Sequence, residues 1–207
     1  MSSRIPTLSN AGVRVNPDGS VTPFVTVTFP DPVPVIIQAI VERVGSSEDG
    51  SLIETLEPAW REITRLLESD PAALFALSPR QLEELVAASY DRAGYDEVVL
   101  TPRSGDFGRD VIATKRGWGS VRIIDQVKAY SAEHRVTAND VRALLGVLSG
   151  DPRATKGIVT TTSTFAPRLK DDPFVAPFVP YRLELVDGAA LSSRLLELAH
   201  KPRGAVA

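Results

Sequence analysis

Between Ser78 and Leu198 the chain alternates between two kinds of apolar pattern, one of period two and one of helical spacing. Ser78-Pro-Arg-Gln81 fits a helix start, with a serine cap, proline in the first turn and a glutamine able to close a capping box. Leu82, Leu85, Val86, Ser89, Tyr90 and Ala93 then make one helical face, which Gly94 can end. Strands are expected over Glu97–Thr101, Asp110–Thr114 and Val121–Val127. Thr137-Ala-Asn-Asp140 opens a second helix carrying Val141, Leu144, Leu145 and Leu148. Gly157–Thr161 and Leu183–Val186 read as buried strands, and Ala189–Leu198 as a closing helix. Helix, three strands, helix, strand, an irregular stretch, strand and helix make an α/β fold: a mixed sheet with helices on both faces.

The first 76 residues read differently. Residues 1–22 look loose, with Asn16-Pro-Asp-Gly19 as a turn signal, and Phe24–Phe29 alternates as a short strand. Val35–Val44 carries apolar residues at helical spacing up to Gly45, so a helix is expected there, followed by a polar loop to Ser51. Pro58–Glu68 reads as a helix, and Asp70-Pro71 starts another short one. The expected division is a small N-terminal extension or accessory region over 1–76 and a main domain over 77–207.

Composition narrows the class. A chain of 207 residues with 43% hydrophobic content can bury a full core. It has no run of eighteen apolar residues and no apolar signal core at its start, so neither a membrane span nor secretion is expected. Cysteine is absent, which excludes disulfides and thiolate metal sites. His134 and His200 are too far apart to suggest a local zinc motif, and a cytoplasmic setting is the simplest expectation. The net charge of −3 does not advertise a polyanionic partner, but it is unevenly spread. Residues 1–76 hold 5 basic and 10 acidic side chains, against 18 and 16 in the remainder and 6 against 3 within residues 101–128.

That basic stretch holds the candidate chemistry. Asp110 sits at the mouth of one expected strand, while Gln126 and Lys128, two residues apart, share a face of the next. Val127 then points into a core, as does Asp125 unless a bulge intervenes. If the strands pair, a carboxylate, an amide oxygen and an ammonium converge, a set able to hold a hard cation, position a water and offset phosphate charge. Other features stay open. Thr160–Ser163 can meet phosphates or satisfy backbone groups. Arg103 and Arg109 can contact a polyanion or stay solvated, and His134 reads as a loop histidine. Trp118 between two glycines looks like a hairpin tip, either a base-stacking residue or an interface anchor. No phosphate-binding Gly-x-x-x-x-Gly-Lys-Ser/Thr loop is present, so this chain alone does not encode an ATP-driven translocase.

In order and spacing, Ser78–Val86, Ala93–Tyr95, Thr101–Ile112, Asp125–Lys128, Lys156–Ser163 and Glu184–Gly188 resemble the PD-(D/E)xK nucleases. The likeness is greatest to the Mrr-like type IV restriction endonucleases, which carry glutamine where most of the superfamily has an acid. It spans about Leu77–Leu198. The resemblance implies a restriction-endonuclease-like mixed sheet flanked by helices. It also implies a magnesium-dependent (or manganese-dependent) endonuclease acting on double-stranded DNA in restriction of foreign or modified DNA. Its site would contain Glu83, Asp110, Gln126 and Lys128. Asp110, Glu83, Gln126 and the Val127 carbonyl would be the metal ligands, with Glu84 the competitor to Glu83. A one-site chain cutting both strands calls for a homodimer. Two other readings remain: a structure-specific nuclease of repair or recombination, and a DNA-binding or interaction module that does not cut. Glutamine at 126 keeps the second in view, since a neutral amide is a poorer magnesium ligand than a carboxylate.

Overall fold

The computed structural model describes residues 7–15, 21–28, 39–102 and 108–204. It divides into two compact units, Met1–Ile36 and Ile37–Ala207. The first holds a two-stranded antiparallel sheet of β1 (Thr7–Val15) and β2 (Val21–Thr28). The expected strand at 24–29 falls within β2 over its described residues. Within the start expected to be loose over 1–22, residues 7–15 instead form β1, whose strand state comes from pairing along its length, from Val15↔Val21 to Thr7↔Thr28. The Asn16–Gly19 turn lies outside the described residues.

The second unit is built on a seven-stranded sheet in the order β3-β4-β5-β6-β7-β8-β9. The strands are β3 (Val41–Ser47), β4 (Gly50–Thr55), β5 (Glu97–Leu100), β6 (Val111–Arg116), β7 (Ser120–Lys128), β8 (Lys156–Thr161) and β9 (Leu183–Val186). Pairing is antiparallel from β3 to β7 and parallel from β7 to β9. The mixed α/β sheet expected from the pattern is therefore present.

Residues 39–76 belong to this same unit. The helix expected over Val35–Val44 is corrected over its described part: Val41–Ser47 is the edge strand β3, and the expected polar loop is its hairpin with β4. A register shift between Arg43 and Gly45 breaks the two-residue alternation. The three-residue spacing of Val41 and Val44 therefore imitates a helix.

Among the described residues four helices cover the sheet: α1 (Glu57–Ser69), α2 (Pro79–Arg92), α3 (Ala138–Gly150) and α4 (Gly188–Ala199). A 3-10 turn runs over Pro71–Ala76. The capping box of α2 forms as expected: the Gln81 N–H donates to Ser78 Oγ, and the Ser78 N–H donates to Gln81 Oε1 at 3.0 Å. The Thr137 N–H donates to Asp140 Oδ2 at 2.8 Å and opens α3 the same way.

Alternation along the strands sorts the core into two layers. Val111, Ala113, Ile123, Val127, Ile158 and Val186 pack with apolar residues of α1, α2 and α4. Ile124, Val159 and Leu183 face the other way, against Val141, Leu144, Leu145 and Leu148 of α3. The two layers fix which side of β7 each side chain meets.

Candidate nuclease site

The antiparallel register of β6 and β7 pairs Val111 with Asp125 and Ile112 with Ile124. Continued by one residue, it sets Asp110 opposite Gln126, and directly opposed residues share a sheet face. The Asp110 N–H donates to the Asp125 carbonyl at 3.1 Å. The Asp110 carboxylate accepts the Val127 N–H through Oδ2 at 2.7 Å. One carboxylate is thus clamped against the strand that carries Gln126 and Lys128, all three on the α3 side.

Gln126 is buried, and its Oε1 has no hydrogen-bond partner among the described residues. A buried amide oxygen left unmet is costly unless something outside the fold satisfies it. Gly108 makes room for it. Its φ is +77°, and a Cβ there would stand 2.9 Å from Gln126 Nε2. A side chain at 108 would be strained and would push the amide aside. Lys128 is half-buried at the end of β7 and makes no ion pair among the described residues. Its ammonium charge reaches Asp140, which hydrogen bonds from Thr137 and Tyr130 and that charge hold below the usual carboxylate range against the opposing effect of burial.

Glu83 is paired with Arg80, whose Nη1 donates to Glu83 Oε2 at 2.9 Å and to the Thr101 carbonyl at 3.2 Å. The Thr101 N–H in turn donates to the Asp110 carbonyl at 3.2 Å. Glu83 thus reaches the Asp110 strand through Arg80 and Thr101. Glu84 approaches the same Arg80, with Oε1 3.7 Å from Nε, and accepts the Ile40 N–H through Oε2 at 3.2 Å. Arg80 was not singled out from the sequence, since nothing in a first-turn arginine marks it as a bridge. Among the described residues no three acidic or histidine side chains are grouped to share a metal ion.

Asp125 lies on the opposite face, as its position in the strand requires. Its Oδ2 accepts from the Tyr90 hydroxyl at 2.8 Å and from Thr160 Oγ1 at 2.9 Å. Burial pushes its carboxyl up to about 7, against the lowering effect of those two hydrogen bonds. A cavity of about 350 Å³ opens here, lined in part by Tyr90, Tyr95, Asp125, Glu184 and Arg194. It is separated by the sheet from Gln126 and Lys128.

The hydroxyls of Thr160–Ser163 are all engaged within the fold. Thr160 serves Asp125, Thr161 donates to the Lys128 carbonyl at 2.9 Å, Thr162 to the Tyr130 carbonyl at 2.6 Å and Ser163 to the Ala132 carbonyl at 3.4 Å. They brace the loop that follows Lys128. His134 is exposed and packs on the Tyr130 ring. Trp118 is fully exposed on the β6–β7 turn, at the far end of both strands from Asp110 and Lys128. Arg103 lies outside the described residues.

Residues 74–195 match the model of the Mrr catalytic-domain family, described as restriction endonuclease. This is more than half of the chain, which therefore belongs to that family. Two solved structures are similar in part. One is the "DNA modification-dependent restriction endonuclease AspBHI", 18% identical, covering 68% of this chain and 35% of that one, at a TM-score of 0.42. The other is the "MspJI Restriction Endonuclease in Complex with 27-mer Oligonucleotide", 19% identical, covering 69% and 32%, at 0.41. The chain spans about a third of the length of each. No curated protein matches it.

Proposed function

We propose that the chain is a divalent-metal-dependent endonuclease that hydrolyses phosphodiester bonds of double-stranded DNA in the restriction of foreign or modified DNA. The observation that carries this reading is the Asp110 carboxylate clamped on the Val127 N–H, on the same face as Lys128 and beside the buried oxygen of Gln126, which has no partner among the described residues. Membership of the restriction endonuclease family supports it.

The donor set suits a hard cation, since carboxylate and amide oxygens are what magnesium and manganese take. Asp110, Gln126 Oε1 and the Val127 carbonyl would hold the ion, with Glu83 joining after release from Arg80. Such an ion supplies Lewis acidity at the phosphate and a more acidic bound water.

The protein's own groups do the rest. The Asp110 carboxylate, fixed by the Val127 N–H, sets where the phosphate can approach. The Lys128 ammonium orients the attacking water and offsets charge building on the phosphate oxygens, where a fixed cation is worth most. Gln126 is neutral and Glu83 is paired with Arg80, so weak metal binding before DNA arrives is expected. A single site per chain makes a homodimer the expected form for cutting both strands.

The test is cleavage of methylated and unmethylated plasmid by wild type and Lys128→Ala with magnesium or manganese. The expected outcome is nicking or linearisation by wild type and a loss of roughly a thousandfold in the variant, the size of losing one oriented charge in an active centre. A wild type that cuts neither plasmid with either metal at high protein concentration rejects the nuclease reading.

A further inference from the structure

The β3–β4 hairpin lies outside the family-matched stretch, yet its turn is tied to both site strands. The Asp49 carboxylate accepts from Arg109 Nη1 through Oδ1 at 3.3 Å and from Arg122 Nη2 through Oδ2 at 2.9 Å. Arg109 is the residue before Asp110. Arg122 lies on β7, four residues before Gln126 and therefore on the same face. Arg122 also reaches Asp151 at 3.5 Å, while Arg153 pairs with Glu48 and approaches Asp49 to 3.6 Å.

The turn itself has little freedom. Gly50 has φ +151°, and a Cβ there would sit 2.3 Å from the Leu100 carbonyl oxygen. The hairpin is pressed onto the end of β5, next to Thr101, whose N–H donates to the Asp110 carbonyl. Asp49 is thus a fixed anion set among Arg109, Arg122 and Arg153, its side chain only 10% exposed. A charge in that setting is screened far less than one in open solvent.

We propose that Asp49 is a positioning residue of the nuclease centre, holding Arg109 and Arg122 so that the ends of β6 and β7 present Asp110 and Gln126 in register. The inference rests on the nuclease reading. Without Asp49, Arg109 loses its tie to the hairpin turn and Arg122 is left to its longer contact with Asp151. The Asp110 carboxylate would then drift from its place over Val127, and small misplacements at a reacting centre are expensive. Glu48, on the same turn, is exposed and among the described residues pairs with Arg153, so it serves as the control.

The experiment compares wild type, Asp49→Ala, Asp49→Asn and Glu48→Ala. It measures single-turnover cleavage of the plasmid form that wild type cuts, DNA affinity by fluorescence anisotropy and thermal melting. Cleavage is also measured at low temperature, where every variant is folded. The expected result is a cleavage rate about ten- to a hundredfold lower in both Asp49 variants, as for groups that orient site ligands. DNA affinity should be unchanged within about twofold, with no recovery on cooling and wild-type behaviour in Glu48→Ala. A folded Asp49→Ala that cuts at the wild-type rate overturns the inference. So does a rate loss in both variants that only tracks unfolding, because Asp49 would then serve stability alone. A wild type that binds DNA without cutting overturns the nuclease reading, and this inference falls with it.

Discussion

Asp125 and Gln126 adjoin on β7 and meet opposite sides of the sheet, so two polar residues in sequence do unrelated work. Asp125 supports the fold: its carboxyl is buried beneath Tyr90 and Thr160, with Oδ1 unpartnered among the described residues. Burial raises its folded pKa to about 7, so the folded state holds this proton more tightly than the unfolded chain. Its contribution is fully present below the unfolded carboxylate range and is lost as pH rises from about 4 to about 7. Asp125→Asn cannot ionise and keeps an acceptor for Tyr90 and Thr160. Denaturant unfolding should show the variant gaining on wild type across that window, by a few kcal/mol at pH 8 at most. A difference that does not vary with pH would reject this account. The parity of Asp125 and Gln126 was legible in the sequence, because period two follows from strand geometry alone. The partners were not: Tyr90 and Thr160 are each 35 residues away. The hydroxyl run at 160–163 was ambiguous for the same reason, and its outward-facing chemistry disappears once the loop after Lys128 takes its hydrogen bonds.

At the scale of elements, α2, β5, β6, β7, α3, β8, β9 and α4 were all readable, since each carries its own period and its own cap or turn. The β3–β4 hairpin was not. Its strands are short, its outer strand exposes Glu42, Arg43 and Val44, and a register shift hides the alternation. What makes it a pair of strands is the edge of β5, far along the chain. This matters for where the catalytic unit begins. Ile53, Trp60, Ile63 and Leu67 are all buried in the core shared with α2 and α4. At roughly 1.5–3 kcal/mol for each, these four side chains alone contribute on the order of 6–12 kcal/mol, as much as a typical domain's whole stability. A chain trimmed to residues 74–207 should therefore lack a cooperative thermal transition and expose the β5 edge, whereas residues 37–207 should melt cooperatively. Calorimetry on the two decides it, and a sharp transition in the shorter chain would contradict the packing described above.

On the scale of the whole molecule, charge and chemistry are arranged separately. The acidic excess lies in residues 1–76, while the cleavage candidates sit in a locally basic stretch. A DNA duplex meets many phosphate contacts spread over a surface, but hydrolysis depends on a few atoms at the end of two strands. Binding and cutting should accordingly come apart. The sharpest probe is Asp110→Asn. The amide oxygen can still accept the Val127 N–H, so the clamp between β6 and β7 survives, but the carboxylate opposite Gln126 loses its charge. Cleavage and DNA binding measured side by side on this variant test whether Asp110 carries the chemistry. Affinity should stay within about twofold of wild type while cleavage falls by roughly a thousandfold or more, as expected when a group acting on the reacting centre is removed and the binding surface is left intact. Cleavage at the wild-type rate by a folded Asp110→Asn would contradict that role and place the chemistry elsewhere.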